Sequence, residues 1–138
     1  LVMIGNPGTG KTHLMTALGL KACLLSHKVL FKNATTLAAE LRKACDNYQL
    51  RKMEKAIAGT DLLLLDELSY ASFTQKESEL LFKVIAEQTE RTSTVITTNL
   101  EFSRWTEMFS NDTLVAALVD RLTYHSSVLN MNGTSYRL

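Results

Sequence analysis

Eight residues, Gly5-Asn6-Pro7-Gly8-Thr9-Gly10-Lys11-Thr12, constrain this chain more than any other stretch, because they satisfy G-x-x-x-x-G-K-[ST] at every fixed position. Three glycines let a backbone wrap closely around an anion, with successive N–H groups turned inward at the α- and β-phosphates and no side chain in the way. Lys11 then places its ammonium between the β- and γ-phosphates and Thr12 offers a hydroxyl to Mg²⁺. A helix starting here, with His13 in its first turn, adds the positive end of its dipole. Apolar Leu1-Val2-Met3-Ile4 reads as a buried strand and residues 11–25 as the helix, the context the motif requires. A glycine-rich turn that binds nothing is the ordinary alternative.

Downstream, strand-like and helix-like stretches alternate. On the first helix Leu14, Leu18, Ala22 and Leu25 fall in one stripe. Val29-Leu30-Phe31 reads as a second strand. Thr35 or Thr36 is the expected cap of a helix that turns Leu37, Leu41, Ala44, Cys45 and Tyr48 inward. Leu50, Met53 and Ile57 face inward on a further short helix closed by Gly59. Leu62-Leu63-Leu64-Leu65 has no polar alternation, as expected of a parallel strand buried on both faces, and it ends in Asp66-Glu67. A helix follows Thr74, with Leu80, Leu81, Val84 and Ile85 on one face; then comes the β-prone run Thr94-Val95-Ile96-Thr97-Thr98, ending in Asn99. Residues 103–109 and 113–122 read as helices, residues 127–131 as a last strand, and Asn132-Gly133 as a turn. This order predicts one α/β domain over residues 1–138 with a parallel sheet and right-handed crossovers. Its ligand chemistry should gather at the strands' carboxyl ends, where Gly5, Asn33, Asp66, Glu67 and Asn99 all fall.

The 15 Lys and Arg nearly balance the 14 Asp and Glu, so no global field advertises nucleic acid or membrane, and any DNA contact must be local. Cys23 and Cys45 stand apart and read as reduced core hydrophobes of a cytoplasmic protein. His13, His27 and His125 fall at no metal-ligand spacing. The longest uninterrupted apolar run is far too short to span a bilayer, so no membrane role is expected. Without an initiating Met, and with four residues before the loop, the chain is expected to be a fragment or trimmed domain.

Asp66 is delivered by a buried strand towards the phosphates, where it can hold Mg²⁺ directly or through water. Glu67 is the candidate acceptor for the proton of an attacking water; a helix-starting carboxylate is the alternative. Asn99 is placed to hydrogen-bond both the γ-phosphate and that water, or to cap the segment after it. Arg121, beside Asp120 on a helix, reads by itself as a solvated pair. Residues 42–55 carry five cations (Arg42, Lys43, Arg51, Lys52, Lys55) against Asp46 and Glu54, either a solvated helix face or a local DNA contact.

Together, the loop with His13-Leu14, Leu65-Asp66-Glu67-Leu68-Ser69-Tyr70, Thr97-Thr98-Asn99-Leu100 and Asp120-Arg121-Leu122 resemble the IstB/DnaC family of AAA+ ATPases, over nearly the whole chain to Ser135-Tyr136-Arg137. The resemblance implies a P-loop NTPase core of about five strands in the order 5-1-4-3-2, with ATP and Mg²⁺ as cofactors. It makes Lys11 and Thr12 the Walker A pair, Asp66 and Glu67 Walker B, Asn99 sensor 1, and Arg121 a finger completing a neighbouring subunit's site. Members load a replicative helicase or assist a transposase. DNA, a transposase or helicase, and further copies of the chain are thus the implied partners, and Glu67-Leu68-Ser69-Tyr70 and Asp112-Thr113-Leu114 resemble IstB more than DnaC. Relatives carry a DNA-touching insertion where residues 35–58 stand, an adenine-side segment and partner-binding region upstream, and a helical lid downstream; Arg137 reads first as a terminal surface residue, with imitation of a lid arginine as the alternative. A small-metabolite kinase and a nucleotide-dependent scaffold without turnover are the competing readings.

Overall fold

The computed structural model describes residues 1–68, 73–107, 109 and 111–132. Five parallel strands form one sheet: β1 (Val2–Ile4), β2 (Val29–Asn33), β3 (Leu62–Asp66), β4 (Ser93–Thr98) and β5 (Val128–Asn130). Their order is β2-β3-β4-β1-β5, which is the expected 5-1-4-3-2 read from the other edge. The helices are α1 (Lys11–Leu24), α2 (Ala34–Asp46), α3 (Leu50–Ala58), α4 (Gln75–Arg91) and α5 (Asp112–His125), with a 3₁₀ segment at Phe102–Glu107.

Strand alternation divides the core in two. Val2, Ile4, Leu63, Leu65 and Ile96 face the large cluster built with α2 to α5, whereas Met3, Leu64 and Val95 face Met15 of α1. Adjacent residues of one strand thus enter opposite cores, which is why the leucine run shows no alternation. Leu80, Leu81, Val84 and Ile85 are buried as expected.

Several local expectations are corrected. Met15 and Gly19 are the buried residues of α1, while Leu18 and Leu25 of the expected stripe are exposed. Among the described residues α1 is the one helix packed on this face, and at about 1.5 Å per residue its 14 residues outrun the five-residue strand β3 beneath it. Cys23, in that overhanging last turn, is exposed rather than core; Cys45 is partly buried against the larger cluster, and both are free thiols. The cap of α2 is neither threonine: β2 runs on to Asn33, whose side-chain oxygen accepts from the Thr35 amide at 3.0 Å. Tyr48 lies in the solvent, because α2 ends at Asp46. A 3₁₀ segment replaces the expected helix at residues 103–109, and Asn111 caps a fifth helix longer at both ends than the pattern suggested. Thr74 starts α4 with a complete capping box to Glu77. Ser69, Tyr70, Gly133 and residues 135–137 lie outside the described residues. Among the described residues, no helix is long and apolar enough to cross a membrane.

Candidate functional site

The loop after β1 and the first turn of α1 form one concave backbone feature. Gly8 and Gly10 hold φ of 82° and 90°, left-handed values that a Cβ makes costly. Gly10 ends the loop without a side-chain cap, and the first intrahelical bond runs from the Leu14 amide to the Gly10 carbonyl. Amides ahead of that bond have no acceptor within the helix, and no carboxylate stands in the first turn to compete for an anion. The loop is braced from within. Thr9 donates its hydroxyl to the Asn6 carbonyl at 2.8 Å, and the Lys11 ammonium donates to the carbonyls of Gly5 (2.6 Å) and Asn6 (2.8 Å). Asn6 and Pro7 lie exposed on its rim, and so does His13 on the helix's first turn. Gly5 is buried, and a Cβ there would stand 2.5 Å from the Met131 carbonyl oxygen.

Asp66 and Glu67 arrive from β3, which lies between β2 and the central strand β4. Asp66 is buried and accepts from the Thr12 hydroxyl at 3.2 and 3.3 Å to its two oxygens, so these two residues meet although 54 positions separate them. A hydroxyl beside a carboxylate is a hard-oxygen pair suited to Mg²⁺. Asp66 also accepts from the hydroxyl of Thr97. That same Thr97 oxygen accepts the Glu67 amide at 2.9 Å, and the Thr98 hydroxyl donates to the Leu68 carbonyl at 2.6 Å. Two neighbouring threonines on β4 therefore hold the backbone on either side of the Glu67 side chain.

Glu67 itself has φ of 58°, a strained conformation for a residue with a Cβ, and its side chain is exposed. The Asn33 amide donates to its carboxylate at 2.9 Å while the other end of the same amide caps α2. Asn99 follows β4, partly buried. Ile4 pairs with Thr98 and the Gly5 amide donates to the Thr98 carbonyl at 3.1 Å, which brings Asn99 beside the start of the loop.

Gly5 to His13, Asp66, Glu67 and Asn99 are thus gathered at the carboxyl edge of the sheet. Arg121 is not. Its guanidinium pairs with Glu90 at 2.9 Å near the end of α4, where the chain is about to enter β4 at the opposite edge. A six-residue strand spans roughly 17 Å, too far for this side chain to reach its own loop. Sequence reasoning marked the position of Asn33 but missed its bond to Glu67, and it assigned no role to Thr97; the signal available was a polar residue closing a strand next to β3.

Solved structures share this fold. A DnaC helicase loader matches 95% of this chain with a TM-score of 0.81 at 23% identity, covering 77% of that chain. A replication initiator DnaA bound to AMPPCP and single-stranded DNA matches 97% with a TM-score of 0.80 at 18% identity, covering 40% of its own length. In sequence, an insertion sequence IS21 ATP-binding protein of Pseudomonas aeruginosa is 39% identical over all 138 residues, and an IS5376 ATP-binding protein of Geobacillus stearothermophilus is 34% identical. The chain covers 52% and 55% of these two proteins, so it spans about half the length of the curated relatives it matches. The family model described as IstB-like ATP binding protein matches residues 1–138. The chain belongs to the IstB-like ATP-binding protein family.

Proposed function

We propose that this chain is the ATP-binding and hydrolysing core of a cytoplasmic protein that assembles on DNA as the helper of a transposase. The observation that carries the ATPase part is the meeting of Thr12 with Asp66 at 3.2 Å beside a loop that presents uncapped helix amides. In this reading Lys11 and the loop amides bind the phosphates, and Thr12 and Asp66 hold Mg²⁺, which when bound neutralises charge on the phosphate oxygens. Glu67 takes the proton of the attacking water, and Asn99 orients that water against the γ-phosphate. Arg121, remote from its own loop, serves the site of a neighbouring copy. The insertion-sequence names of the relatives support the transposase as partner. The exposed cations of α2 and α3 support DNA as the surface of assembly. Helicase loading is the second reading, favoured by the likeness to the DnaC helicase loader.

The test is ATP turnover by the full-length protein alone, with single- or double-stranded DNA, and with small-molecule phosphate acceptors. Hydrolysis stimulated by DNA supports the proposal. Transfer to an acceptor would make the chain a kinase, and binding without turnover under every condition would make it a scaffold. Further stimulation by an insertion-sequence transposase, and not by a replicative helicase, separates the two uses.

A further inference from the structure

The residues that follow the proposed base and the proposed water-orienting amide are held by one side chain. Thr98, the last residue of β4, is 1% exposed. Its hydroxyl donates to the Leu68 carbonyl at 2.6 Å and accepts the Leu100 amide at 3.1 Å. Leu68 comes directly after Glu67, and Leu100 directly after Asn99. A threonine hydroxyl has one proton and two lone pairs, so both bonds are made at once. With the proton committed to Leu68, a lone pair is what the Leu100 amide meets.

Each of these leucines is gripped a second time. The Leu68 amide donates to the Thr97 carbonyl at 2.9 Å, beyond the last ladder pair of β3 with β4, Leu65 with Ile96. The Leu100 carbonyl accepts the indole N–H of the fully buried Trp105 at 3.0 Å. The amide and carbonyl of both leucines are therefore bonded, and the Thr98 oxygen is the atom that links the two. Glu67, just ahead of the anchored Leu68, keeps its left-handed φ of 58°. A strand by itself asks for no hydroxyl here. Valine has the same shape, favours strands as strongly and needs no partner when buried, whereas a buried hydroxyl left without one costs stability.

We propose that Thr98 is a positioning residue for ATP hydrolysis: its hydroxyl fixes the separation of the Glu67 carboxylate and the Asn99 amide, so that one water is met by both. This rests on the ATPase reading given above and adds to it the residue that makes the two water-directed groups a unit. Thr98 acts through the backbone of its neighbours and not on the nucleotide. Its loss therefore falls on turnover rather than on ATP binding, because Lys11 and the loop amides hold the phosphates without it.

The experiment uses full-length protein with ATP and Mg²⁺, with and without DNA. Threonine and valine differ at the hydroxyl, and so do serine and alanine, so the second pair decides if Thr98→Val does not fold. Thr98→Val and Thr98→Ala should lower kcat by about 10- to 100-fold, the cost of misplacing a reacting group by about 1 Å. KM and the affinity for a fluorescent ATP analogue should stay within about twofold of wild type. Thr98→Ser should keep kcat within about threefold, although it too melts lower than wild type, having lost a buried methyl. Hydrogen exchange without nucleotide reads the same bond independently of turnover: the Leu100 amide should exchange at least about tenfold faster in Thr98→Val and Thr98→Ala than in Thr98→Ser. A kcat that Thr98→Val and Thr98→Ala leave unchanged, or that Thr98→Ser lowers as much as they do, overturns the positioning role and leaves the ATPase reading standing. So does a loss of ATP affinity at unchanged kcat. Wild type that binds ATP and turns it over under no condition overturns the ATPase reading, and the positioning role with it.

Discussion

Asn33 spends one side-chain amide on two tasks: its oxygen caps α2 through the Thr35 amide and its nitrogen holds the Glu67 carboxylate at 2.9 Å. The residue that starts a helix is thereby the one that restrains the proposed base. Cap and restraint can be separated, because serine caps a helix but is too short to reach Glu67. Asn33→Ser should leave thermal stability close to wild type and raise DNA-free ATP turnover by up to the order of tenfold, the value of a hydrogen bond to a charged group. Asn33→Ala should in addition lose about 1 kcal/mol of stability with the cap. A fall in turnover with Asn33→Ser, with and without DNA, would show that the bond positions Glu67 for catalysis instead of restraining it.

Lys11 and Glu67 are expected to fail differently. Lys11→Ala removes the cation aimed at the β- and γ-phosphates and should weaken ATP binding by about 100-fold or more. Glu67→Gln should bind ATP within about twofold of wild type and lose about 10²- to 10⁴-fold in turnover. Titration with a fluorescent ATP analogue distinguishes them, and equal losses of affinity would mean that the roles are misassigned.

Arg121 and Glu90 are both about half exposed, so their ion pair contributes little to stability. Arg121→Ala should therefore melt within about 1 °C of wild type. If the arginine completes a neighbour's site, the same variant loses about 10³- to 10⁵-fold in assembled ATPase activity. Mixing it with Glu67→Gln should restore activity, because some interfaces then join an intact Glu67 to an intact Arg121. With subunit exchange verified by fluorescence transfer, a mixture no faster than the mean of its parts would place Arg121 outside catalysis.

Thr74 offers a control away from the chemistry. Its hydroxyl accepts the Glu77 amide at 3.2 Å while its own amide donates to the Glu77 carboxylate at 3.0 Å. Thr74→Ala should cost about 1 kcal/mol in denaturant unfolding. Nucleotide affinity should be unchanged, and a loss of affinity would reveal coupling between the start of α4 and the loop.

What the sequence determined by itself is whatever nearest neighbours along the chain decide. The loop is contiguous, so its glycines, Lys11 and Thr12 announce a phosphate site before any folding. The unalternating leucines of β3 announce a strand covered on both faces, and so place Asp66 and Glu67 at the carboxyl edge. Even the strand order followed from the family these motifs resemble. What only the tertiary structure decided depends on register and on competition for cover. Asn33 reaches Glu67 because β2 pairs with β3 so that Asn33 lies opposite Asp66, and Thr97 holds both Asp66 and Glu67 because β4 pairs with β3 on its other side. Helical periodicity showed that α1 was apolar but not which side met the sheet, since a lone helix over short strands leaves leucines exposed whichever way it turns. Tyr48 looked like the end of a buried stripe because spacing cannot show where a helix stops; two hydrogen bonds ended it and turned the ring to the solvent.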